Sequence, residues 1–79
     1  MKVWGLLRVK TEARWIRRVL ESIQPVTDRI LVLDDHSDDG TPEICEQYAD
    51  VYRSEFDGIH EARDKDFLLS KVWELGAEL

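Results

Sequence analysis

The sequence predicts an α/β fold in which three short parallel strands alternate with three helices, β-α-β-α-β-α, stacked in three layers. Three observations predict it. Apolar, β-favouring runs (Val3 to Val9, Ile30 to Leu33, Val51 to Arg53) alternate with stretches whose apolar residues recur at helical spacing. Those intervening stretches are long enough to cross over a sheet, and such crossovers join parallel strands with a right hand. Finally, four aspartates, Asp34, Asp35, Asp38 and Asp39, crowd directly behind the most apolar strand. In Rossmann-like sheets ligands gather at the carboxyl ends of the strands, so like charges packed at that place mark a site.

The elements follow in order. After the first strand, Thr11 is the expected N-cap of a helix whose apolar face is Ala13, Ile16, Val19, Leu20 and Ile23, and Pro25 stops the run. The second strand, Ile30 to Leu33, is apolar without interruption, as a strand covered on both faces must be. Thr41 is the expected cap of the second helix, with Pro42 in its first turn, Glu43 beside the positive end of its dipole, and Ile44, Cys45 and Tyr48 inward. A third helix is expected from about Asp64 to Leu75, with Phe67, Leu68, Val72 and Leu75 inward and Gly76 as C-cap. Three loops then meet at the carboxyl edge of the sheet: Lys10 to Glu12, Asp34 to Gly40, and Ser54 to Gly58.

Length allows one domain, residues 1–79. A chain this short buries only about 60% of the surface its unfolded form exposes, so its core is thin. With 43% hydrophobic and 35% charged residues it reads as globular. Its one cysteine, Cys45, has no internal partner and fits a reducing cytoplasm, the expected location. The apolar opening is broken at Arg8, which argues against a signal peptide or a membrane span. Net charge is −6, divided as +4 over residues 1–33 and −10 over residues 34–79. The overall acidity argues against nucleic acid as a partner, despite the basic stretch Arg8, Lys10, Arg14, Arg17 and Arg18.

Two segments carry a resemblance. The first strand leads into Arg8-Val9-Lys10-Thr11-Glu12, and the second into Asp34-Asp35-His36-Ser37-Asp38-Asp39-Gly40-Thr41, which opens a helix. This resembles a family 2 glycosyltransferase of the GT-A fold, in which a first strand ends in an Arg-x-Lys-Asn-Glu-like segment and a second in an Asp-Asp-x-Ser-x-Asp-Gly-Thr loop. Thr11 stands where Asn is usual, and the second loop matches at every fixed position. Ala62-Arg63-Asp64-Lys65, followed by Phe67-Leu68-Leu69, is similar to that family's basic step into its third helix. The resemblance implies a nucleoside-diphosphate-sugar donor, transfer of its sugar to an acceptor, and a divalent metal (Mg or Mn) on the leaving diphosphate. The metal-binding Asp-x-Asp-type motif and the acceptor region of such an enzyme are not in these residues. The expectation is therefore a truncated GT-A half-domain that holds nucleotide but carries no catalytic residue of its own.

Chemistry assigns roles within that resemblance. A carboxylate accepts hydrogen bonds and cannot donate them, so Asp35 suits the imide N–H of a uracil-type base or a ribose hydroxyl, which favours UDP. Glu12 would reach the base or ribose from the other side, and Ser37 would assist. An acidic loop repels phosphate, which leaves the diphosphate to Arg63 and Lys65. Asp34, Asp39 and Lys10 are expected to support the loop, with Ser37 and Asp39 also suited to holding loop N–H groups. Trp4, Trp15 and Trp73 read as core or edge-packing residues, and Cys45 as buried.

Other motifs compete for the acidic loop. Asp35 to Glu46 comes near an EF-hand calcium loop, but a strand precedes it where a helix should, and Pro42 sits where a β-branched residue belongs. A haloacid-dehalogenase signature fails because Ser37 occupies the nucleophile's place, and a receiver domain would carry its acids after the first and third strands. The rival class is a non-catalytic α/β module that binds a divalent cation or a protein through residues 34–40. Val3 to Val9 is expected to be an exposed sheet edge through which copies of the chain associate.

Overall fold

The computed structural model of the protein describes residues 3–55 and 60–76. Strand β1 (Trp4–Val9) leads to helix α1 (Ile16–Ile23) and a short 3₁₀ turn, Gln24–Val26. Strand β2 (Arg29–Asp34), helix α2 (Thr41–Cys45), strand β3 (Asp50–Arg53) and helix α3 (Glu61–Glu74) follow. The sheet is parallel throughout, in the order β1-β2-β3, with Leu6 opposite Leu31 and Val32 opposite Val51.

Strand alternation splits the core in two. Ile30 and Val32 point to one face and join Val9, Ile16, Leu20 and Cys45 under α1 and α2. Leu31 and Leu33 point to the other and join Leu68 and Val72 of α3, with Trp4, Leu6 and Phe67 packed beside them. The three layers are thus α1/α2, sheet and α3, as the helical spacing predicts. Every residue of β2 from Ile30 to Asp34 is buried, which accounts for its unbroken apolar sequence.

Several boundaries differ from expectation, each for a local reason. Helix α1 starts at Ile16, four residues inside the forecast, because Thr11 is not a cap: it sits at a left-handed φ of 51°. Helix α2 is only five residues long and Gly40, at φ 87°, takes the N-cap position; Tyr48 lies beyond it in a turn yet still packs on the core. Helix α3 starts earlier than Asp64, at Glu61, because the His60 ring accepts a hydrogen bond from the Arg63 N–H at 3.0 Å and acts as its cap. Gly76, just past α3, adopts φ 80°, the left-handed terminus that glycine suits. Trp15 and Trp73 are 60% and 62% exposed, so only Trp4 of the three tryptophans packs against the core as expected.

One side of the sheet is open among the described residues. Val3 and Val9 accept hydrogen bonds from the N–H groups of Asp28 and Asp35, so the odd-numbered residues of β1 pair with β2. In a parallel ladder the alternate residues face the other way, and Trp4, Leu6 and Arg8 therefore turn their N–H and C=O groups to the free edge. No helix among the described residues is long and apolar enough to cross a membrane.

Candidate functional site

The carboxyl ends of β1 and β2 are held together by side chains of one loop and backbone of the other. Ser37 Oγ accepts from the Thr11 N–H at 2.7 Å, Thr41 Oγ1 from the Glu12 N–H at 2.8 Å, and Asp39 Oδ2 from the Ala13 N–H at 3.1 Å. Three consecutive N–H groups of the β1–α1 loop are thereby satisfied by three alternate residues of the β2–α2 loop. Asp39 Oδ1 also takes the N–H and hydroxyl of Thr41, so Asp39 rather than Thr41 supplies the cap of α2. Asp34 Oδ2 accepts from the Ser37 N–H at 3.0 Å and lies 3.5 Å from the Arg53 guanidinium. Asp34 and Asp39 thus bond within and between the loops, and Ser37 accepts through its oxygen in the same framework.

Asp35 is different. It is 2% exposed, and its Oδ1 lies 2.9 Å from His36 Nδ1 while its Oδ2 meets no hydrogen-bond partner among the described residues. A buried acceptor left unpaired is costly, and Asp35 is also one of the residues that line a cleft at the end of β1. The cleft, about 130 Å³, is lined by Arg8, Val9, Lys10, Glu12 and Asp35. The geometry thus brings Glu12, Lys10 and Asp35 together. Arg8, quoted in the sequence motif but given no role there, completes the set.

Arg8 also reaches the next hollow, an open groove of about 500 Å³ between β1 and α3 lined by Leu6, Glu61, Asp64, Lys65 and Leu68 as well. Its Nη1 lies 3.3 Å from Asp64 Oδ2, and Arg63 approaches Asp64 Oδ1 at 3.1 Å. Arg63 itself lines a smaller hollow with Leu33, Ser54, Glu55 and Phe67. Lys65 and Arg63 therefore line different hollows, with Asp64 common to both. Asp64 was invisible as an organiser because a carboxylate next to Arg63 and Lys65 reads as a solvated helix face. Only the fold carries Arg8, 56 residues away, onto it.

Two of these carboxylates titrate low. Burial pushes Asp64 up, yet the Arg63 guanidinium, the His60 N–H and Arg8 together hold it below its ordinary value near 3.8. Asp39 is held below the same value chiefly by the Thr41 hydroxyl, against burial, with help from the Ala13 and Thr41 N–H groups. Because both folded values lie below the unfolded one, their stabilisation is complete above about pH 4 and is lost as pH falls through and below that value. Acid titration followed by circular dichroism should show unfolding set in there; Asp39→Asn should flatten the transition, and an unchanged profile would contradict the assignment. The Cys45 thiol, pushed up to about 11 by burial and then by Asp34, Glu12 and Glu46, is protonated and inert at neutral pH.

Thr11 carries a local penalty, since a β-branched residue at φ 51° is strained. Thr11→Asn, which suits the left-handed region, should stabilise the domain by about 0.5–1 kcal/mol in urea denaturation. A loss of stability would show that Thr11's own side chain, and not only its N–H, holds the loop.

Among the described residues no three His, Cys, Asp or Glu side chains converge as ligands of a metal ion. The divalent metal implied by the resemblance does not find its ligand set in them.

A parallel sheet covered by helices on both faces, with an acidic, internally braced loop at the end of its central strand, defines a Rossmann-like α/β domain. Residues 8–71 match the family described as Glycosyl transferase family 2, and the chain belongs to that family. No curated protein and no solved structure matches it.

Proposed function

We propose that this chain is the donor-nucleotide side of a glycosyltransferase that takes a sugar from a nucleoside-diphosphate sugar to an acceptor hydroxyl. One observation carries the reading: Asp35, whose buried Oδ2 has no partner among the described residues, lines a cleft with Arg8, Lys10 and Glu12. A carboxylate there takes the imide N–H of uracil, and the flanking cations suit the carbonyl oxygens on either side of that N–H, which favours UDP. Adenine and cytosine offer no such imide. Glu12 accepts from a ribose hydroxyl, and the diphosphate runs toward Lys65 and Arg63, away from the acidic loop. The base and acceptor residues of the transfer itself lie outside this set, and the metal, Mg or Mn, belongs with them.

The test is ligand-observed NMR of the chain with UDP, GDP and ADP, with and without Mg²⁺. Binding that prefers UDP supports the proposal. Equal binding of all three, or Mg²⁺ binding without nucleotide, would replace it with the cation-binding module, a reading the loop disfavours because Asp34 Oδ2 and both oxygens of Asp39 are already occupied.

Copies of the chain are proposed to pair through the free edge of β1, where the backbones of Trp4, Leu6 and Arg8 face outward beside a partly apolar groove. Light scattering at tens of micromolar protein should give twice the 9.3 kDa chain mass or more; a monomer mass would refute the pairing.

A further inference from the structure

Only two described residues other than glycine hold a left-handed φ, and one of them, His36 at 58°, immediately follows Asp35. Its ring is about half exposed, whereas the carboxylate it meets is 4% exposed. A carboxylate only accepts, so the 2.9 Å contact is a hydrogen bond donated by Nδ1 to Oδ1. Asp35 stands beside a second buried carboxylate, Asp34, which also has an oxygen without a partner. Asp34 is held through Oδ2 by the Ser37 N–H and Arg53, whereas among the described residues the His36 ring is the donor that meets the Asp35 carboxylate.

We propose that His36 is a positioning residue of the nucleotide site. By holding Oδ1 of Asp35 it locks the carboxylate in a rotamer that leaves Oδ2 without a protein partner, for a donor of the ligand to take. The proposal rests on the donor-nucleotide reading above for what the ligand is. It explains why a residue disfavoured at positive φ is useful here, since glycine would relax the backbone but offer no donor. The cost of the strained φ is met by an oriented acceptor in the cleft.

Two substitutions separate the donor from the fold. His36→Gly fits the backbone and removes the ring. His36→Asn tolerates the left-handed region and places its amide nitrogen where Nδ1 lies, so the hydrogen bond can re-form. In UDP titrations, His36→Gly should weaken binding about tenfold with an unchanged or higher melting temperature, and His36→Asn should bind within about threefold of the wild type. Without nucleotide, the carboxyl carbon resonance of Asp35 should move in His36→Gly and return toward its original position in His36→Asn.

Wild-type affinity in both variants would overturn the proposal, as would equal loss in both, which would assign the effect to the bulk of the ring. Should the wild type fail to bind UDP, or Asp35→Asn bind it undiminished, the donor-nucleotide reading fails. In that case the carboxyl resonance still decides the positioning role, which an unmoved signal in His36→Gly refutes.

Discussion

Asp35→Ala is expected to weaken UDP binding by roughly tenfold to a hundredfold while leaving the domain as stable as before, or more so. A hydrogen bond to a charged group contributes about 1.5–3 kcal/mol, and each 1.4 kcal/mol is a factor of ten in affinity. The stability expectation has the opposite sign because Asp35 Oδ2 is buried without a partner next to the buried carboxylate of Asp34. Deleting it removes an unsatisfied charge and costs only the half-exposed contact with His36. Calorimetric titration and a thermal melt on one preparation measure both. Loss of binding accompanied by an equal loss of melting temperature would make Asp35 a structural residue.

The second large effect is on folding. Leu31 is fully buried at the centre of β2, under Leu68 and Val72 of α3. Leu31→Ala should cost about 2–5 kcal/mol from lost burial and the cavity left behind. A domain of this length has about 4–12 kcal/mol in total, so the variant loses a large share of its stability and, at the low end of that range, is partly unfolded at room temperature. Urea denaturation measures it, and a loss below about 1 kcal/mol would mean that α3 does not pack on the sheet in solution.

How far these features were legible depends on whether their causes were local. Strand β2 could be read because burial on both faces leaves no room for a polar residue from Ile30 to Leu33. The faces of α1 and α3 could be read from helical spacing, since Ile16, Leu20, Leu68 and Val72 are all buried. The start of α1 could not, because Thr11 is drawn out of any cap by Ser37, 26 residues on. Nor could the start of α3, since histidine is not among the side chains that usually cap helices and His60 does so here. At the site, the residue types of the acidic loop singled out Asp35, which the fold buries with one oxygen unpaired. The division of labour between Asp35 and its neighbours came only with the bonds that tie up Asp34, Ser37 and Asp39. The pairing of Arg8 with Asp64 was not legible because it spans most of the chain.

The bracing between the two loops runs in one direction only. Side chains of Ser37, Asp39 and Thr41 grip the main chain at Thr11, Glu12 and Ala13, and the gripped residues contribute nothing but N–H groups to those bonds. The β1–α1 loop can therefore exchange its side chains freely and keep its path, so long as none of the three becomes proline. A wall of the cleft is thus open to variation at Glu12 while its backbone path is held from the opposite side, so the lining can change there without refolding the domain.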